Sequence, residues 1–285
     1  MNNNLDLGLE KLEQRKMLAG DVSLDIDGGN VELRGENNTD HEIWIEASDM
    51  GFIVSGVDTT INGEEFVEIE GEIGNLEINL RSGNNTLILT KADEADFSLN
   101  GDLEVDTRGG SDIVIMDTLN VGGEVDINTR GGDDAVSWKG SVVKGDFDLR
   151  TGGGDDVFVV YGSDNEFGTS GQDDFDIRTG GGDDGIIVSR STVYADANIR
   201  SGGGSDRVSL FEGTFNDEID VRGGGSEDTY LEDAARPNVY NGDALDLRSI
   251  EVEDNSSFGA EFVFQTNDNA TFDQLRDKLI STGIG

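Results

Sequence analysis

The stretch Thr151-Gly152-Gly153-Gly154-Asp155-Asp156, followed by the apolar run Val157-Phe158-Val159-Val160, returns along the chain at a near-constant interval. Marked by its second acidic residue, it recurs at Asp112, Asp134, Asp156, Asp184, Asp206 and Asp228, in steps of 22, 22, 28, 22 and 22 residues. A period of this size belongs to solenoids, in which each repeat is one coil that touches only its neighbours.

Aligning the coils on the marker acid exposes four apolar columns. Nine residues before the marker stand Leu103, Val125, Phe147, Phe175, Ala197 and Ile219, and seven before it Val105, Ile127, Leu149, Ile177, Ile199 and Val221. Two residues after it stand Val114, Val136, Phe158, Ile186, Val208 and Tyr230, and four after it Met116, Trp138, Val160, Val188, Leu210 and finally Glu232. Alternation with period two on both sides of a Gly-rich turn reads as strand, turn, strand with these residues pointing inward. An antiparallel sandwich would not make residues 22 apart chemically alike. The fold class is therefore all-β, a parallel β-helix of about 22-residue coils. A degenerate coil, with Asn85 at the marker position, precedes Asp112.

Composition bears on function through charge. The chain carries 61 Asp and Glu against 20 Lys and Arg, a formal net charge of −41. That excludes nucleic acid and anionic membrane as natural partners. There is no cysteine and His41 is the only histidine, which removes thiolate sites, His-rich zinc sites and His-based triads. No apolar run is long enough for a membrane span.

The ends differ from the middle. Leu5, Leu9 and Leu12 share one face of an expected N-terminal helix that Gly20 would end. The segment Leu12-Glu13-Gln14-Arg15-Lys16-Met17-Leu18-Ala19-Gly20 resembles the LExRxMLAG signature of planctomycete extracellular proteins, and that resemblance implies a secreted or cell-surface destination. The expected organisation is a helical or targeting segment over 1–20, an irregular β cap over 21–75, β-helix repeats over 76–253 and a C-terminal cap over 254–285. In the last of these, Thr271-Phe272-Asp273-Gln274 has the form of a capping box, and Phe272, Leu275, Leu279 and Ile280 would give a short helix its apolar face.

The turns carry the chemistry. Glycines at positive φ expose their carbonyls, and an Asp beside them completes an oxygen-only donor set suited to Ca²⁺. Stacked about 4.8 Å apart, two such carboxylates repel by about 1 kcal/mol in water and about 3–4 kcal/mol at an effective dielectric near 20, which a bridging cation would reverse. The expected metal residues are Asp112, Asp134, Asp155, Asp156, Asp183, Asp184, Asp206 and Asp228, with Gly152, Gly154, Gly180, Gly182, Gly202 and Gly204. The three turns with those glycines resemble the GGxGxDxUx calcium-binding repeats of RTX β-rolls. Elsewhere Arg108 and Arg130 replace the first glycine and Ser226 the second. Asp and Gly also favour plain solvated turns.

Outward positions beside the turn hold a largely acidic column (Glu104, Asp126, Asp148, Asp176, Asn198, Asp220) next to Arg150, Arg178, Arg200 and Arg222. This reads as a salt-bridge lattice or, more sharply, as a glycan-binding face. The six extra residues in the 28-residue step fall within 161–174, with Asp164, Glu166, Asp173 and Asp174 but no basic residue. The resulting expectation is a secreted or cell-surface, calcium-binding β-helix with a structural or adhesive role, with calcium ions, cell-surface glycans or other surface proteins as partners. The alternative is a carbohydrate-active β-helix, either lyase or glycoside hydrolase, or a glycan-binding module.

Overall fold

The computed structural model describes residues 20–92, 95–232, 237–242 and 245–254. Among these residues it is all-β: two sheets of 11 strands and one of 7, mostly parallel, wound as a parallel β-helix. The sequence period becomes the sheet register. Strand Phe147–Gly153 lies beside Asp174–Gly181 with Phe147 against Phe175 and Leu149 against Ile177, and strand Val157–Tyr161 beside Gly185–Ser189 with Phe158 against Ile186. Residues one period apart are thus hydrogen-bonded neighbours, and the four apolar columns are buried side-chain stacks, apart from half-buried Glu232.

Each coil has three walls. The third sheet is built of short strands such as Leu119–Val121, Val142–Val143 and Asn165–Phe167. It brings Leu99, Val121, Val143, Phe167, Val193 and Phe215 into the core as a fifth apolar column. The middle coils are packed with rings: Phe147 stacks on Phe175 at 5.3 Å between centroids and meets the edge of Trp138 at 5.2 Å. Burying five or six apolar side chains per coil at about 1.5–3 kcal/mol each supplies the drive that holds a narrow solenoid together.

The parallel stack begins before the repeats become recognisable. Strand Asn30–Arg34 pairs in parallel with Leu76–Asn79, and Glu42–Ser48 with Thr86–Lys91, so residues 30–48 form a first coil. The cap character expected for 21–75 resides in the antiparallel strands Gly20–Asp27, Gly51–Gly56 and Phe66–Glu70, which hairpin onto that coil and cover its edges. Gly20 opens the first strand. The helices expected in 1–20 and 254–285 otherwise lie outside the described residues. No helix among the described residues is long and apolar enough to cross a membrane.

Candidate functional site

The Gly-rich turn joins the first wall to the second. Gly152 and Gly154 have φ of 100° and 126°, and Gly180, Gly182, Gly202 and Gly204 repeat that conformation. The reason for glycine is axial as well as conformational. A Cβ on Gly180 would collide with the carbonyl oxygen of Gly152 below it, and one on Gly182 with that of Gly154. The departing turns keep the backbone. Arg108 and Arg130 hold φ of 69° and 71°, and Ser226 a φ of 99°, all in the region that L-residues avoid. Both arginines reach back to Asp106, with Arg108 Nε at 3.2 Å and Arg130 Nε at 2.9 Å. In later coils the position of Asp106 is taken by Arg150, Arg178, Arg200 and Arg222, and glycine returns to the turn.

The marker acids lie inside the wall. Asp112, Asp134, Asp156, Asp184, Asp206 and Asp228 are all buried, none more than 3% exposed. Each Oδ1 from Asp134 onward accepts the main-chain N–H of the preceding marker: Asp112 N to Asp134 at 2.8 Å, Asp134 N to Asp156 at 2.8 Å, Asp156 N to Asp184 at 2.8 Å, Asp184 N to Asp206 at 2.9 Å and Asp206 N to Asp228 at 3.1 Å. The column continues backward, with Asn85 N donating to Asp112 Oδ1 and His41 N to Asn85 Oδ1. It therefore ties eight coils edge to edge, and each carboxylate satisfies an amide that has no sheet partner in the turn.

The other oxygen is unmatched. Oδ2 of Asp112, Asp134, Asp156, Asp184 and Asp206 is buried without a hydrogen bond of good geometry, the Thr129, Thr151 and Thr179 hydroxyls beside the column being directed at main-chain carbonyls instead. Asn85 shows what this position requires. Its Oδ1 plays the same role as theirs, while its Nδ2 donates to the carbonyls of Gly83 at 3.0 Å and Arg81 at 3.3 Å and to Asp112 Oδ1 at 3.1 Å. In the acidic coils an oxygen stands in that register, where Asn85 finds only acceptors. The acids respond in their titration. Burial pushes Asp112, Asp156 and Asp184 up to about 7 and Asp134 to about 6, against the opposing pull of the neighbouring threonine hydroxyls and ladder amides. Burial also raises Asp206, against the Asp184 amide and the Ser201 hydroxyl. A buried acceptor with no donor is costly, by about 1–3 kcal/mol. It is relieved by a proton on the carboxyl or by a cation beside it.

One residue upstream a second ladder runs the opposite way, on the surface. Asp133 Oδ1 accepts from Asp155 N at 3.0 Å, Asp155 Oδ1 from Asp183 N at 2.8 Å, and Asp183 Oδ1 from Ser205 N at 2.7 Å. Asp133, Asp155 and Asp183 are exposed. The expected metal residues therefore share one edge but divide into a buried and an exposed column. The donor set is oxygen only and includes unmatched oxygens, which fits a hard cation such as Ca²⁺. No three acidic or histidine side chains among the described residues converge on one point. A bound ion would accordingly draw on main-chain carbonyls as well as the acids.

The other candidate sites are occupied by their own neighbours. On the outer face of the first wall Arg150 bonds Asp148 at 2.8 Å and Asp126 at 3.4 Å, Arg178 joins Asp148 to Asp176, and Arg222 pairs with Asp220. At Arg200 the partner is the Asn198 carboxamide at 3.3 Å. The extra residues of 161–174 form two small loops. Asp173 turns its carboxylate onto the amides of Thr169 and Ser170 at 2.8 and 3.1 Å, and those bonds hold it below the usual carboxylate range. A shallow cleft of about 260 Å³ lies elsewhere, near the opening cap, with Asp49, Glu72 and Asp96 on its rim. No protein-family model, curated protein or solved structure matches this chain.

Proposed function

We propose that this chain is a structural or adhesive solenoid of the cell exterior, stiffened by Ca²⁺ along its Gly/Asp edge. The observation that carries this reading is the column of buried Asp Oδ2 atoms without a hydrogen bond of good geometry. In a chain of net charge −41 above neutral pH, protons are scarce at those oxygens and a divalent cation is the natural substitute. Asp156 and Asp184 would supply the inner oxygens, the exposed Asp155 and Asp183 the outer negative charge, and the carbonyls of the positive-φ glycines the neutral ligands. Binding that favours the folded coil stabilises it by mass action.

A solenoid with three walls of parallel strands suits a spacer or adhesive role. The secreted or surface location rests on the N-terminal signature, and cell-surface glycans or other surface proteins are the partners this reading implies. The carbohydrate-active alternative draws less support, because Asp164 and Asp173 of the 161–174 loops are spent on local hydrogen bonds. The test is a thermal melt followed by circular dichroism at pH 8, in EGTA, in millimolar Ca²⁺ and in Mg²⁺ at matched ionic strength. The reading expects a Tm increase of about 10 °C or more that is specific to Ca²⁺. Equal melts in all three solutions would leave the edge a metal-free hydrogen-bond ladder.

A further inference from the structure

Exposed apolar side chains are not spread evenly along the solenoid. Among the described residues seven large ones stand open to water, and five of them, Ile26, Trp44, Met50, Val57 and Phe66, lie in the opening cap. Charge is also more one-sided there than elsewhere. Residues 20–75 hold 15 Asp and Glu against one basic residue, Arg34, which is paired with Glu32, whereas the rest of the chain holds 46 against 19. The antiparallel strands Glu42–Ser48, Gly51–Gly56 and Phe66–Glu70 set these two features in register. Ser55 stands between Trp44 and Phe66 in one row across the three strands, and Ile53 between Glu46 and Glu68 in the next. The alternate residues Ile43, Ile45, Phe52, Val54 and Ile69 are buried, so both rows face outward. Trp44 and Phe66 are two strand spacings apart, about 9–10 Å, with only the small Ser55 between them. They are 39% and 54% exposed. The Trp44 indole N–H donates to Glu42 Oε1 at 3.3 Å, which steadies the ring.

We propose that this face of the opening cap binds a basic segment of another protein, with Lys or Arg side chains over the Trp44 and Phe66 rings and against Glu46 and Glu68, and apolar side chains on Ile53. The proposal rests on the adhesive part of the function proposed above and not on its calcium. Exposed aromatic surface rimmed by polar groups is the mark of an interaction face, and Trp is the residue that most often anchors one. Charge complementarity selects the occupant. Aromatic ring faces attract cations, Trp most strongly, and a carboxylate within reach of the same cation adds to the attraction. A second copy of this chain would bring the same excess of acids and be repelled. An anionic glycan would be repelled likewise, and a neutral one would gain nothing from 15 acids set against one base.

Trp44 is its own reporter, because Trp138, the other of the chain's two tryptophans, is fully buried. The probe is a fluorescein-labelled peptide of alternating Arg and Val, added to the full chain in EGTA. It is expected to shield Trp44 of the wild type from acrylamide quenching. By fluorescence anisotropy it should bind Trp44→Ser with Phe66→Ser at least about tenfold more weakly than wild type. Glu46→Gln with Glu68→Gln keeps both rings and should weaken binding by about threefold or more. Glu166→Gln with Glu218→Gln, two exposed glutamates of later coils, removes the same charge elsewhere and should stay within about twofold of wild type. All six side chains lie on the outside of the solenoid, and an unchanged circular dichroism melt checks that each variant keeps the fold. Four results would overturn the proposal. Equal binding to all four proteins would mean diffuse attraction to the net charge. Equal binding of a Gln-Val peptide would mean an apolar face with no preference for cations. Shielding of Trp44 by cellohexaose and not by the basic peptide would mean a glycan face. Shielding without any peptide, lost on dilution of a dimer seen by light scattering, would mean that a second copy covers it. A melt insensitive to Ca²⁺ would leave these expectations unchanged, and failure of the peptide to bind would leave the calcium edge standing.

Discussion

Asp155 and Asp156 are neighbours in sequence and opposites in environment. Asp156 is fully buried, its carboxyl raised to about 7 by burial, and it accepts the amide of the coil before it. Asp155 is exposed and accepts the amide of the coil after it. The two residues lie in the bend between strands Phe147–Gly153 and Val157–Tyr161, where their side chains face opposite sides of the wall and bond amides of opposite neighbouring coils. The same pair of letters therefore fastens each coil in both directions. Only the inner letter is left with an oxygen that lacks a partner. Stacked acids need not be a stability liability when every one of them takes an amide, and the tension concentrates on the inner oxygens alone.

Substitutions should break this comparison most sharply. Asp156→Ala removes the acceptor of the buried Asp134 N–H and is expected to cost about 2–3 kcal/mol in urea unfolding, while Asp155→Ala should cost about 0.5 kcal/mol or less. Similar losses at the two positions would end the distinction between inner and outer columns.

The next effect is on pH. The folded chain keeps protons on Asp112, Asp134, Asp156 and Asp184 up to about pH 6–7, whereas the unfolded chain sheds them near pH 4. Their contribution is complete below about pH 4 and lost as pH rises through 6 to 7, so in EGTA the unfolding free energy should be at least about 1–2 kcal/mol higher at pH 5 than at pH 8. A stability that rises over that interval would contradict buried neutral carboxyls.

A smaller effect distinguishes the two needs of the inner position. Asp156→Asn keeps the Oδ1 acceptor and, by the precedent of Asn85, gives the second atom hydrogens to donate. At pH 8 in EGTA it should be neutral or stabilise by about 1 kcal/mol, and it should flatten part of the pH slope. Asp155→Asn with Asp183→Asn is expected to leave stability in EGTA within about 0.5 kcal/mol of wild type while weakening the Ca²⁺-dependent rise in Tm.

Much of this architecture was legible in the sequence because a solenoid turns periodicity into contact. The columns from Leu103 to Ile219 and from Val105 to Val221 needed only counting, and so did the shared edge of the Gly/Asp turns. The third wall was harder to see. Its strands are two or three residues long, and its inward position stands nine residues after the marker at Val121, 11 at Phe167 and 12 at half-buried Tyr240, so a fixed period does not align it. The first coil was hidden because His41 stands where later coils have Asp, 44 residues before Asn85. Burial of the marker acids was not legible either, since Gly-Asp turns usually face water and only the ladder geometry places the carboxylate inside. The apolar outward residues of the second wall did have a signal, the runs at 157–160 and 186–188 without alternation.

The most direct test of two acidic columns with different needs is a carbon-13 titration of the aspartate carboxyls from pH 3 to 9, first in EGTA and then in Ca²⁺. The account predicts a small group, removed by Asp156→Asn and Asp184→Asn, that titrates near pH 6–7 in EGTA and moves down into or below the ordinary carboxylate range in Ca²⁺. Aspartates that all titrate near their ordinary value in EGTA, or a high-pH group that Ca²⁺ leaves in place, would contradict it.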